Sequence, residues 1–231
     1  MRKETSMFSR HRPALYHDRR EAGRKLAQLL SAYKDRPDVI VLGLTRGGVP
    51  VAHEVSESLH AAFDALIVRK LGVPAQSELA MGAIASGNVT VLNDDIIADL
   101  NISIAEIERV RACEAKEISR REALYRNNRP FPVLKGKAVI VVDDGVATGS
   151  TMRAALRAVR LQKPARIIMA VPVASRQACD ELRTDADEVI CPNKPEPFFA
   201  VGIWYEEFSP VADREVREML SEAIEAEPAA A

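Results

Sequence analysis

Residues Val139 to Thr151 read VIVVDDGVATGST. With Ala138 ahead of them, Val139 to Val142 form the most strand-like run in the chain. They are apolar and β-branched, with no polar alternation, as expected of a strand covered on both faces. Asp143 and Asp144 end the run and Gly145 opens a turn. Ala147-Thr148-Gly149-Ser150-Thr151 then supplies small residues, three hydroxyls and backbone N–H groups where helical spacing begins (Met152, Ala155, Leu156, Val159). A helix start of this kind, with a glycine that admits close backbone approach, is a cradle suited to a phosphate. Its place after a buried strand is where open α/β sheets bind ligands. The two carboxylates would repel that phosphate, and sugar hydroxyls are their natural donors. A phosphate cradle beside a diol-binding acidic pair describes a ribose 5-phosphate site.

Other loop chemistries fit less well. A Walker A loop needs Gly-Lys before Ser/Thr, whereas Gly149 precedes Ser150 directly, and no G-x-G-x-x-G is present. A receiver domain needs a phospho-acceptor Asp at the end of a later strand, but Ile167 to Val173 runs into Ala174-Ser175.

Short apolar runs alternate with helical patterns through the chain, which predicts an open parallel sheet flanked by helices. Asp18 with Glu21 resembles a capping box ahead of Ala22, Leu26, Leu29, Leu30 and Tyr33. Val39 to Leu44 (VIVLGL) reads as a buried strand, Thr45-Arg46-Gly47-Gly48 as its turn, and Val51, Val55 and Leu59 as the inner face of the next helix. Ala65 to Arg69 reads as a strand ending in a basic pair, Leu71 to Leu79 as a loop, and Met81 to Leu92 as a hairpin turning at Ser86-Gly87-Asn88. Ser103 and Glu106 open a long charged helix to about Arg126. Its thin apolar stripe of Ile107, Val110, Ile118 and Tyr125 suits a lid, an arm or a subunit contact, and equally a solvated surface helix. After the strands at Ile167 to Val173 and Val189-Ile190 come a proline-stiffened loop, an aromatic segment from Phe198 to Phe208, a helix near Asp213 to Ala226 and a frayed Ala-rich tail.

Composition bounds the rest. The chain has 231 residues, 47% hydrophobic and 28% charged, which excludes intrinsic disorder and collagen-like repeats. Lys+Arg 32 against Asp+Glu 33 leaves no overall positive field for non-specific nucleic-acid binding. Cys113, Cys179 and Cys191 show no C-x-x-C spacing, and Met1-Arg2-Lys3-Glu4 leads into no apolar run. No apolar stretch is long enough for a bilayer. The expectation is a cytoplasmic protein with no nucleic-acid or membrane partner, built as one domain over 1–231. Its core is expected over 18–191, with a small C-terminal hood over 192–212 and a closing helix over 213–226. His11, His17, His53 and His60 read as surface residues.

VIVVDDGVATGST resembles the signature of the type I phosphoribosyltransferases: a hydrophobic strand, two acids and a Thr-Gly-rich phosphate loop. The likeness extends to Thr45-Arg46-Gly47-Gly48 as a pyrophosphate loop, to Arg69-Lys70 as basic residues on the pyrophosphate side, and to Leu71 to Asn88 as a flexible loop or hairpin over the site. Phe198 to Glu207 is similar to the hood of the purine enzymes. The Arg-Gly-Gly and Asp-Asp-Gly-Val-Ala-Thr-Gly motifs resemble a sparsely characterised bacterial branch. The resemblance implies a type I phosphoribosyltransferase fold and the donor 5-phosphoribosyl 1-pyrophosphate (PRPP) with Mg²⁺, held mainly by substrate and on the metal side by Glu206. It implies a small nitrogen nucleophile, such as a nucleobase or related compound, as acceptor. Asp143, Asp144, Arg46 and Lys70 would be catalytic, and Ala147, Thr148, Gly149, Ser150 and Thr151 would hold the 5-phosphate. Phe199 and Val201 would meet the base, and a homodimer is expected. Two positions depart from the 6-oxopurine enzymes: Ala147 replaces the loop Asp, and Ser175 replaces the base-reading Lys. Both argue against hypoxanthine and guanine. A PRPP-binding regulator without turnover is the alternative. A sugar-phosphate hydrolase ranks behind it, for want of a nucleophile or metal cluster.

Overall fold

The computed structural model describes residues 14–74, 76–127 and 129–226. Five strands, β1 (Val39–Leu44), β2 (Ala62–Leu66), β6 (Ala138–Val142), β7 (Arg166–Ala170) and β8 (Glu188–Ile190), form a sheet in the order β2-β1-β6-β7-β8. Every neighbouring pair is parallel. β1 and β6 are buried along their whole length, which explains their unbroken apolar character.

Alternate residues of these strands face opposite layers. Ile40, Leu42, Val139, Val141, Ile167 and Met169 pack with helices α5 (Ser150–Leu161) and α6 (Arg176–Leu182). Val39, Val41, Ile140, Val142 and Ile168 pack with α1 (Arg19–Leu29) and α2 (Gly48–Leu59). β1 therefore feeds a helix on one face and β6 a helix on the other. The two turns leave for opposite faces at the point where strand order reverses, the position at which open α/β sheets take ligands.

A second sheet is antiparallel: β3 (Val68–Val73), β4 (Gln76–Ala85) and β5 (Val89–Leu92). Two expectations from the sequence are corrected here. The strand expected to end at Arg69 is two strands, β2 in the parallel sheet and β3 in the antiparallel one. The expected loop at Leu71 to Leu79, of which Ala75 lies outside the described residues, is mostly strand. Leu71, Val73 and Met81 are buried there against Ile107, Ile118 and Tyr125, and that burial outweighs the Gly and Pro content. The β4–β5 turn is as expected, with Gly87 and Asn88 both at positive φ (80° and 56°).

Helix α4 (Ile104–Arg126) carries the expected capping box at Ser103 and Glu106. Its stripe packs on β3 and on α7 (Asp213–Ala226), so its apolar side is covered by its own chain. A short helix, α3 (Asp94–Asp99), completes the set. His53 is buried and not a surface residue: α7 and the edge of the Phe63 ring cover it, and Glu222 Oε2 lies 3.6 Å from its Nε2. His17 and His60 are exposed, and His11 and the Ala-rich tail beyond 226 lie outside the described residues.

At the end of α4, Arg126 is 1% exposed. Its Nε donates to Asp64 Oδ1 (2.9 Å) on β2, and its guanidinium also reaches the Ala65 carbonyl and Ser86 Oγ at the hairpin turn. Arg126→Met alone strands the Asp64 carboxylate in the interior and should cost about 3–5 kcal/mol by denaturant unfolding. Adding Asp64→Asn should recover most of that loss; a double variant as unstable as the single one would show that the pair is not the anchor.

Candidate functional site

The turns after β1 and β6 meet in direct backbone contact. A Cβ on Gly47 would collide with Asp144 Oδ2, and one on Gly48 would lie 2.7 Å from Asp143 Cα. Only glycine permits this approach. Thr45 is half-buried and Arg46 exposed, and the Thr45–Arg46 peptide is cis. Arg46 Nη1 lies 3.5 Å from Asp213 Oδ1 at the start of α7, and the Tyr125 hydroxyl also donates to that oxygen.

The two acids differ. Asp143 is half-buried, and its Oδ1 accepts the Asp144 N–H (2.9 Å). Asp144 is buried, and its Oδ2 accepts Arg19 Nε (2.8 Å). Burial, with the neighbouring Asp144 carboxylate, pushes the Asp143 carboxyl well above the ordinary range. Burial also raises Asp144, and the Arg19 guanidinium opposes that rise. The expectation that both acids open onto a ligand therefore needs correction at Asp144, whose carboxylate is already engaged.

Past Gly145 the loop runs over the top of the sheet. Gly149 sits at φ 80° and begins α5. Ala147, Thr148, Ser150 and Thr151 are exposed, with Thr148 Oγ1 3.3 Å from Ser150 Oγ. Hydroxyls and the first amides of α5 thus gather at one helix start. Ser175 Oγ donates to the Ala147 carbonyl (2.6 Å) and caps α6 by accepting from Ala178 N–H (3.1 Å). The two positions that depart from the 6-oxopurine pattern are thus bonded to each other, and the Ser175 hydroxyl supports the loop.

The basic pair divides. Neighbouring strand residues face opposite sides. Arg69 Nε is 2.6 Å from Glu114 Oε2 on α4, so the structure turns Arg69 away from the loop. Lys70 lines a cleft of about 240 Å³ together with Ser150, Thr151, Arg153 and Arg157. In the hood, Val201 lies against Gly145, where a Cβ would come within 2.5 Å of Val201 Cγ1. Phe199 is 78% exposed, whereas Trp204 and Tyr205 are core. Glu206 Oε2 is 2.8 Å from His17 Nδ1, so its carboxylate faces the N-terminal segment and not the aspartates.

A family model described as the phosphoribosyl transferase domain matches residues 14–207. The chain belongs to the phosphoribosyl transferase family. Rv0571c of Mycobacterium tuberculosis (strain ATCC 25618 / H37Rv), named for the same family, is 43% identical over 209 residues, 90% of this chain and 47% of that protein. The chain thus spans about half the length of that relative. The bifunctional protein PyrR of Thermus aquaticus is 28% identical over 156 residues, 67% of each chain. Among solved structures, TT1426 from Thermus thermophilus shares 40% identity at a TM-score of 0.79, covering 90% of this chain and 98% of that one. Among the described residues, no helix is long and apolar enough to cross a membrane.

Sequence reasoning missed Arg19, Tyr205 and Asp213. Arg19 reads as one more charge on an amphipathic helix, and its partner lies 125 residues away. Tyr205, whose hydroxyl donates to the Asp144 carbonyl (2.5 Å), reads as ordinary aromatic core.

A carboxyl raised by folding stabilises the fold below its unfolded pKa, and that contribution is lost as pH rises through the folded value. Asp143→Asn, which cannot ionise, should therefore be more stable than the wild type at pH 7. The gap in unfolding free energy should narrow as pH falls toward the ordinary carboxylate range; a gap independent of pH would contradict the assigned environment.

Proposed function

We propose that this chain transfers a phosphoribosyl group from PRPP to a nitrogen nucleophile and releases pyrophosphate. The observation that carries the reading is the joint placement of the α5 start and Asp143 at the switch point of the sheet. The amides and hydroxyls of Ala147 to Thr151 take the 5-phosphate, and Asp143 accepts from a ribose hydroxyl. Asp144 contributes negative charge near C1, where positive charge develops as pyrophosphate departs. The Thr45 to Gly48 turn offers backbone N–H groups to pyrophosphate. Arg46 offers a guanidinium once it leaves Asp213, and a planar fork suits phosphate oxygens.

Asp143 fits a Mg²⁺ that is bound chiefly through substrate, because that ion takes one or two carboxylates and keeps several waters. Its Oδ1 accepts the Asp144 N–H beside Gly48, which sets the carboxylate between the two turns. When bound, the ion offsets the charge of the pyrophosphate. Glu206, held by His17, supports that role less well than Asp143 does.

Acceptor recognition falls to the hood. Phe199 offers an exposed ring for stacking, and Val201 an apolar edge beside Gly145. With Ser175 committed to the Ala147 carbonyl, a 6-oxopurine finds no reader at that position. One observation favours the second reading, a PRPP-binding regulator: Asp144 and Arg46, both assigned to the reaction, are each held by an internal partner.

Incubation with PRPP, Mg²⁺ and a panel of nitrogenous bases should release pyrophosphate with at least one base. Asp143→Asn should weaken PRPP binding about tenfold in a calorimetric titration. Tight PRPP binding without release against any nucleophile favours the regulator; no PRPP binding at all removes both readings.

A further inference from the structure

We propose that Arg19 is the positioning residue that sets Asp144 and ties it to the hood, so that donor binding and hood placement are coupled. The proposal rests on the ribose-phosphate reading above and adds a residue outside every motif. The guanidinium is used on three sides. Its Nε donates to Asp144 Oδ2 (2.8 Å), its Nη1 donates to the Ser209 carbonyl (2.8 Å), and its flat face lies 3.8 Å from the centre of the Phe208 ring. The side chain is 11% exposed. A planar, forked cation can do all three at once, and an ammonium cannot.

The backbone around Arg19 is fixed to the same segment. Leu15 and Tyr16 donate their N–H groups to the Trp204 carbonyl (2.9 and 3.2 Å). Glu206 N–H donates to the Tyr16 carbonyl (3.0 Å), and Glu207 N–H to the His17 carbonyl (2.8 Å). The hood therefore grips the chain just ahead of Arg19 and receives its tip. It touches Asp144 a second time through the Tyr205 hydroxyl on the Asp144 carbonyl. A shift of the hood moves both groups that hold this acid.

The test is a calorimetric titration of PRPP with Mg²⁺ at neutral pH, on the full chain as wild type, R19Q, R19K, F208L and, as a surface control, R166Q. Trp204, the single tryptophan, reports on the hood by fluorescence. R19Q should weaken binding about tenfold. R19K, which keeps the charge and loses the fork, should bind more tightly than R19Q and more weakly than wild type. In R19Q and F208L, saturating PRPP should no longer give the Trp204 change seen in wild type. R166Q should match wild type throughout.

Folded R19Q with wild-type affinity and Trp204 response would overturn the role. If R19Q does not fold, R19K and F208L decide, and wild-type affinity and Trp204 response in both would overturn it equally. A wild type that binds no PRPP defeats the ribose-phosphate reading and this role with it. A wild type that binds PRPP while the variants match it defeats the Arg19 role alone.

Discussion

The approach of Gly47 to the Asp144 carboxylate is the constraint on which the arrangement at the switch point depends. Adjacent parallel strands lie about 4.8 Å apart, and the turns leaving β1 and β6 must clear each other within that spacing. They do so because neither Gly47 nor Gly48 carries a Cβ, and because α2 and α5 depart to opposite faces of the sheet. One side of the switch point is the turn that carries Arg46. The other carries the acids and the α5 start. Arg19 and Tyr205 close over the same residue from outside the sheet, so Asp144 joins two strand ends, a helix and the hood.

The centre of this fold was legible because its determinants are local. Val39 to Leu44 and Ala138 to Val142 declare buried parallel strands by composition. Gly149 and the residues around it declare a helix start by spacing, and Ser103 with Glu106 caps α4 as read. The edges were harder to read because tertiary burial decided them. Leu71 and Val73 have the Gly and Pro neighbours of a loop, yet they become strand because α4 covers them. Arg69 and Lys70 read as one basic pair, and the pleat sends them to different neighbours. His53 reads as helix surface until α7, far along the chain, closes over it.

Within the candidate site the same division holds. The loop residues and both glycines could be named from sequence, since each follows from what a phosphate or a close backbone contact requires. The partners that fix their orientation could not. Arg19, Tyr205 and Asp213 each act across a long sequence separation with no local signal of the role, and Ser175 stood out for the lysine it replaces and not for its bond to the Ala147 carbonyl. The site also works against stability: two neighbouring carboxyls are held where burial opposes their charge, and one cation from α1 offsets part of that cost.

The most direct measurement is a crystal structure of the chain with ribose 5-phosphate. The account predicts the phosphate at the amides and hydroxyls of Ala147 to Thr151, with a ribose hydroxyl donating to Asp143. A phosphate seated instead among Lys70, Arg153 and Arg157, with the α5 start and Asp143 untouched, would contradict it.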